Sequence, residues 1–176
     1  MHIFLTNHDH FLLELAVKVA EVCYASRSRN GGIMSLKELQ AILQGRGTKF
    51  QLNTLKANKY SEEDIIVAIS KLSQLGSGFR TVKIGNSMMV ISVPTELDND
   101  HVSVFQLAQE NKGQGLTVHD VVERTKWNEE RVKRALDLLL SEGMAWLDIC
   151  HGEEYYWFPS LWKESTSTTL SGTSVH

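Results

Sequence analysis

Two histidines flank an aspartate at His8-Asp9-His10, and imidazole and carboxylate groups of that kind can hold a divalent metal. The triplet stands near the start of the chain, with no cysteine or carboxylate pair to complete a shell, so no metal site is expected. His101 and His119 fall near expected helix starts and read as surface residues or local hydrogen-bond partners. The pairs Glu62-Glu63, Glu129-Glu130 and Glu153-Glu154 resemble acid/base dyads only in composition. The first two open expected helices, where negative charge meets the positive end of the helix dipole. The third lies in an expected hairpin turn. Gly45-Arg-Gly47 and Gly76-Ser-Gly78 are too short to cradle phosphate and lack the following Lys and Ser/Thr. No nucleophile, base and orienting group can be ordered into a triad. The expectation is a chain without catalytic, cofactor-binding or metal residues.

Two other groupings suggest binding. Arg46, Lys49, Lys56 and Lys59 make a basic strip, read as a solvated loop or, more sharply, as weak attraction to anionic lipid or an acidic partner. Trp146, Tyr155, Tyr156, Trp157, Phe158 and Trp162 crowd the end of the sequence. On alternating strand positions about half of them should face a core. The others would be exposed aromatics, which are enriched in protein interfaces.

The elements that position these groups come in two series. Leu12, Leu15, Ala16, Val19, Val22 and Cys23 recur at helical spacing within Phe11–Ser26, and Asn30-Gly31-Gly32 ends that helix. Ile33-Met34 is a short extended link. Ser35-Leu-Lys-Glu38 has capping-box spacing and starts a helix with Leu36, Leu39, Ile42 and Leu43 inward. After a loop from Gln44 to Tyr60, Ser61-Glu-Glu-Asp64 caps a third helix whose face is Ile65, Ile66, Ala68, Ile69, Leu72 and Leu75. Phe79–Ile84 and Met88–Ser92 around Gly85-Asn86-Ser87 read as a hairpin.

The order then repeats. A helix spans about Asp98 to Asn111, with Val102, Phe105, Leu107 and Ala108 inward, and Leu116 is the extended link. Thr117-Val-His-Asp120 caps a second helix and Asn128-Glu-Glu-Arg131 a third, whose face is Val132, Ala135, Leu136, Leu139 and Leu140. Met144–Ile149 and Tyr155–Phe158 are strands around Cys150-His-Gly-Glu153. Ala68-Ile69, Leu72 and Gly76 match Ala135-Leu136, Leu139 and Gly143 at equal spacing. The fold class expected is α+β, mainly α: two tandem winged-helix domains, at 9–94 and 95–162, with a disordered Ser/Thr-rich tail at 163–176. Each unit is small, so the pair is expected to pack together.

Bulk properties agree. The 176 residues are 42% hydrophobic and 22% charged, and no run of about 18 apolar residues could span a bilayer. The start lacks the pattern of a secretory signal. Cys23 and Cys150 each sit in an apolar pattern and read as two buried thiols rather than a disulfide. The net charge of −3 hides +4 over residues 1–95 and −7 over 96–176, a change of sign at the expected joint Val93-Pro94-Thr95. Winged helices often place their third helix in the DNA major groove, so a nucleic-acid-binding transcriptional regulator is the alternative reading. Against it, carboxylates at Glu62, Glu63, Asp64, Glu129 and Glu130 would face phosphates. Arg131, Lys133 and Arg134 form a basic patch within an acidic unit.

Ordered segments carry a resemblance. Glu21-Val-Cys23, Arg29-Asn-Gly-Gly32, Leu75-Gly-Ser-Gly-Phe79, Ser92-Val-Pro-Thr-Glu-Leu97 with Asp100-His101, Glu142-Gly-Met-Ala-Trp-Leu-Asp148 and Tyr156-Trp-Phe-Pro159 resemble the vacuolar protein sorting 22 (SNF-eight/EAP-thirty) family of ESCRT-II subunits, from about Asp9 to Pro159. The resemblance implies a non-enzymatic subunit, without cofactor, in endosomal sorting of ubiquitinated membrane proteins into multivesicular bodies. It implies a Y-shaped complex with a 36-type subunit that carries a lipid- and ubiquitin-binding module, and with small winged-helix 25-type subunits. ESCRT-III would be reached through that complex. The protein would be cytoplasmic, recruited peripherally and indirectly to endosomal membranes, and would bind no nucleic acid. The second winged helix would dock the small subunit's aromatic- and proline-bearing N-terminal segment, with Trp146, Asp148, Tyr156 and Trp157 at or under that surface. The first would pack on the 36-type subunit, so part of its surface should be unusually apolar. Family members usually begin with a long basic helical region that aids membrane attachment and contact with ESCRT-I. Met1 to His8 do not resemble it, so the resemblance carries assembly rather than autonomous membrane binding.

Overall fold

The structure, a computed structural model, describes residues 7–45, 60–76 and 78–162. The basic strip and the Ser/Thr-rich tail lie outside the described residues, as does most of the Gln44–Tyr60 loop. The first half runs α1 (Asn7–Asn30), β1 (Ile33–Ser35), α2 (Leu36–Leu43), α3 (Glu62–Gln74), β2 (Arg80–Ile84) and β3 (Ser87–Ile91). The second runs α4 (Asn99–Glu110), α5 (Val118–Thr125), α6 (Glu129–Ser141), β4 (Trp146–Cys150) and β5 (Glu153–Trp157), then one 3-10 turn at Pro159–Leu161.

Both halves share one plan. In the first sheet β3 lies between β1 and β2, all antiparallel. In the second, β5 pairs with β4 and Leu116 bridges Tyr156 on the other side, which gives the same order in miniature. The hairpin ladders match rung for rung, from Arg80 opposite Ile91 to Ile84 opposite Ser87, and from Trp146 opposite Trp157 to Cys150 opposite Glu153. The third helices α3 and α6 each have 13 residues. These are two tandem winged helices, and the fold is α+β with helix dominant.

Local chemistry accounts for the helix starts. Ser61 and Asp64 bond reciprocally, side chain to backbone, and Thr117 and Asp120 do the same. Ser35 accepts from the Glu38 amide and Asn128 from that of Arg131. At α4 the cap is Asp98, with His101 Nδ1 accepting from the Asp98 amide at 3.1 Å.

Four expectations differ in detail. α1 reaches beyond Phe11–Ser26 at both ends. Its last turn is polar yet inward-facing: Asn30 Nδ2 donates to Ser26 Oγ at 3.2 Å and the Gly32 amide donates to Asn30 Oδ1 at 2.9 Å. Satisfied polar groups therefore continue the helix after the apolar period stops. Leu75 caps α3 and is exposed rather than part of its face, because Gly76 turns the chain there with φ of +73°. The second hairpin closes through a two-residue turn, with φ of +53° at His151 and +83° at Gly152, so β5 begins at Glu153 rather than at Tyr155. Cys150, expected buried, is exposed on β4, while Cys23 is buried and both thiols are free.

Two apolar clusters hold the molecule together. The first joins α1, α2 and α3 through Leu15, Val19, Leu39, Ile65 and Ile69, and takes Met34 and Val90 from the sheet. The second joins α4, α5 and α6 through Phe105, Val121, Leu136 and Leu139, and takes Ile33, Ile84, Met89 and Ile91 from that same sheet. Alternating positions on one strand thus feed opposite cores. The first sheet is a shared wall, with α4 against the hairpin's outer face.

The joint is tight as well. Arg80 donates to the carbonyls of Gly78, Val93 and Thr95, and Thr95 Oγ1 donates to the Glu142 carboxylate. Gly31, at φ of +65°, lies so near the second half that a Cβ there would stand 2.1 Å from the Gly143 carbonyl oxygen. Burial pulls the Arg80 guanidinium below its usual value, an effect that Glu96 opposes.

Candidate protein-binding surfaces

On β4 and β5, residues that face each other across the ladder share a side of the sheet. Tyr156 is buried in the second core, so Leu147 opposite it marks the inner side, which continues to Ile149 and Glu154. The outer side carries Trp146, Asp148 and Cys150 from β4 and Glu153, Tyr155 and Trp157 from β5. Of the four residues singled out in the sequence, Trp146, Asp148 and Trp157 therefore share the outer side, and Tyr156 stands behind them.

All five residues of β4 are exposed. Trp146 is 47% exposed and Ile149 65%. In the first half the same ladder positions are Arg80, Val82, Ile84, Ser87, Met89 and Ile91, all buried or half-buried, with Ile84, Met89 and Ile91 in the core that α4 shares. Among the described residues no helix packs on the second copy as α4 does on the first, and Gly115 and Trp162 lie against its Trp157 and Trp146.

The bare face is fixed rather than loose. Gly115 leaves room for the Trp157 indole, since a Cβ there would stand 2.9 Å from its Cε2. Trp146 and Trp162 meet edge to face with ring centroids 5.3 Å apart. Tyr155 donates to Glu153 at 2.9 Å, and that carboxylate raises the phenol's pKa. Burial, aided by Glu154, raises that of Tyr156. The face thus presents indole edges beside the carboxylates of Asp148 and Glu153, a surface suited to apolar groups accompanied by positive charge or hydrogen-bond donors.

A second apolar surface lies on α1. Leu13, Val17 and Tyr24 are 43%, 57% and 54% exposed. With Leu147 and Trp162 near the second hairpin, these two surfaces hold seven of the ten exposed large hydrophobic side chains among the described residues. The inward stripe of α1 is plain in the sequence. The outer one is present at equal spacing and escapes notice because apolar residues run around most of the helix.

The basic patch on α6 is largely neutralised. Arg131 makes two bonds of 2.7 Å to the Asp100 carboxylate and lies over the Trp127 ring, 4.2 Å from its centroid. Lys133 pairs with Glu129 at 2.6 Å. Each pairing raises the pKa of the base and lowers that of its carboxylate. His8 and His10 are exposed in the first turn of α1, while Asp9 pairs with Lys71 at 3.5 Å. Among the described residues no three His, Cys, Asp or Glu side chains are placed to hold a metal, and no helix is long and apolar enough to cross a membrane.

A family model described as EAP30/Vps36 matches residues 2–149. The chain is 43% identical over 163 residues to the vacuolar-sorting protein SNF8 of Rattus norvegicus, an alignment that covers 92% of this chain and 60% of that protein. It is 45% identical over 154 residues to the vacuolar protein sorting-associated protein 22 homolog 1 of Arabidopsis thaliana, covering 86% and 58%. The chain thus spans about 60% of the length of these relatives. It superposes on a chain of the solved ESCRT-II endosomal trafficking complex with a TM-score of 0.64 and 27% identity, covering 87% of this chain and 66% of that one. A second solved ESCRT-II complex, of VPS22, VPS25 and VPS36, gives 0.64 at 26% identity and covers 86% and 65%.

Proposed function

The chain belongs to the EAP30/Vps36 family, and from that premise we propose that it is a non-enzymatic scaffold subunit of an ESCRT-II complex. In this role it acts in endosomal sorting of ubiquitinated membrane proteins into multivesicular bodies. Residues 9–94 and 95–162 are its two docking modules, and residues 163–176 a tail. The second module holds a small 25-type winged-helix subunit through Trp146, Asp148 and Trp157, with Tyr156 bracing them from the core side. The first packs on the 36-type subunit. Contact with ESCRT-III and with the endosomal membrane runs through the assembled complex, to which this cytoplasmic chain is recruited peripherally.

One observation carries the reading: the outer face of the second hairpin is bare where the same face of the first is covered by α4. A rigid, tryptophan-bearing face left open in one copy of a repeat suits an external partner. Nucleic-acid binding is not favoured. Glu62, Glu63, Glu129 and Glu130 sit in the opening turns of α3 and α6, and Arg131 and Lys133 are engaged with carboxylates.

Co-expression with the 25-type and 36-type subunits tests the proposal. A complex of defined stoichiometry is expected. Trp146→Ala should weaken capture of the small subunit by about 30-fold, the scale of an interface hot spot, while the 36-type subunit stays bound. A chain that captures neither subunit and instead binds duplex DNA with steep salt dependence would overturn the reading.

A further inference from the structure

Strand β4 is the last strand of the second sheet, and its far edge is bare. Tyr156 turns both its amide and its carbonyl to Leu116, at 2.8 and 2.9 Å, so Tyr156 and Leu147 exchange no hydrogen bonds across the hairpin. Leu147 therefore points its own N–H and C=O away from β5, and Ile149, two residues on, does the same. Among the described residues no backbone group bonds to any of these four. The two side chains are 40% and 65% exposed. In the first hairpin the same ladder positions hold Thr81 and Lys83, and a lysine on an edge keeps other strands off. The second copy puts leucine and isoleucine there and buries neither.

The chemistry of the edge selects its occupant. Donors and acceptors spaced along β4 match another extended backbone, whereas a helix has spent those groups on itself. Leu147 and Ile149 stand on the inner side of the sheet and favour apolar neighbours at alternate positions of an added strand. Asp148 lies between them on the outer side. Glu153 and Glu154 belong to the same hairpin, and Lys133, the base that the Glu154 charge reaches, is engaged by Glu129 at 2.6 Å. A lysine or arginine opposite Asp148 is therefore favoured. The same carboxylate disfavours a second copy. In the antiparallel register that satisfies both edge residues, Leu147 meets Ile149 of the other copy and Asp148 meets Asp148, with Cα atoms about 4.5 Å apart. Like charges so placed repel.

We infer that the free edge of β4 takes an added strand from another protein, an extended segment with a lysine or arginine between two apolar residues, the base beside Asp148 and the apolar pair beside Leu147 and Ile149. The strand lies beside β4 in the plane of the sheet. The small subunit's proposed contact is on the outer side, at Trp146 and Trp157, so the edge is a further site and does not rest on that reading.

The test uses the full chain and a probe peptide, acetyl-Thr-Val-Lys-Val-Thr-amide, which has the same pattern in both directions. By NMR, millimolar peptide should shift the Leu147 and Ile149 amide signals and slow their hydrogen exchange. Methylating the two valine amides removes the donors and should weaken binding about 10-fold or more. Glutamate in place of the lysine should weaken it about 10-fold, and Asp148→Lys should reverse that preference. Ile149→Pro removes one outward N–H but no bond between β4 and β5, since those come from Trp146, Asp148 and Cys150. That variant should unfold in one cooperative step, still capture the 25-type subunit on co-expression, and lose the peptide, whereas Ile149→Val keeps it. A peptide that moves no β4 amide overturns the inference. So does a methylated peptide that binds like its parent, a readout that stands even if the proline variant fails to fold. If Ile149→Pro also loses the 25-type subunit, that subunit already holds the edge and there is no further site. If the wild-type chain is a dimer that Ile149→Pro dissolves, a second copy holds it and the inference is wrong.

Discussion

Cys23 and Cys150 divide thiol chemistry between an inert and an accessible site. Burial pushes the Cys23 thiol up to about 12 from 9.0, so at neutral pH it stays protonated and out of reach. One equivalent of a disulfide reagent should therefore react with the native protein, at Cys150, and a second only after unfolding. The shift also ties stability to alkaline pH. Below about pH 9 the thiol is protonated in both folded and unfolded chains and contributes no slope. Between about 9 and about 12 the unfolded chain releases a proton that the folded state keeps, so stability falls as pH rises, by up to about 4 kcal/mol. Denaturation at pH 8 and pH 10.5 should show the fall, and Cys23→Ala should remove the thiol's share and leave that of Tyr155 and Tyr156. Exposure of Cys150 was not legible in the sequence. Alternation tells which strand residues share a face, but whether another layer covers that face is decided elsewhere in the chain. The pairing of Arg131 with Asp100, 31 positions away, was hidden for the same reason.

At the scale of elements, local chemistry was the legible part. Ser35, Ser61, Thr117 and Asn128 were readable as caps because each acts on amides within three residues of itself. Asn128 Oδ1 accepts from the Arg131 amide at 2.8 Å at the start of α6, the third helix of the second copy. Asn128→Ala should cost about 1 kcal/mol and lower the melting midpoint by about 3 °C, as read by circular dichroism. Less legible were ends set by tertiary packing. The last turn of α1 is polar in sequence, and only the Ser26–Asn30–Gly32 bonds reveal why it stays helical. The bare face of the second hairpin was legible as an aromatic cluster, and its contrast with the covered first copy was not.

Across the whole molecule, the shared wall couples the two halves. Removing the second half would uncover Ile33, Ile84, Met89 and Ile91 together. The chain should therefore melt in one transition, with calorimetric and van't Hoff enthalpies equal. Gly31→Ala should break that unity. It forces a Cβ toward the Gly143 carbonyl at a positive φ, and should cost several kcal/mol or separate the transition into two.

That coupling also limits how many neighbours the protein can recruit. Two identical sticky hairpins pointing outward would give the chain a valence of two at that surface, and identical contacts repeated along a line generate open-ended filaments. By turning its first hairpin against α4, the duplicated chain leaves one such face open among the described residues, so an assembly built on the proposed contact would end there.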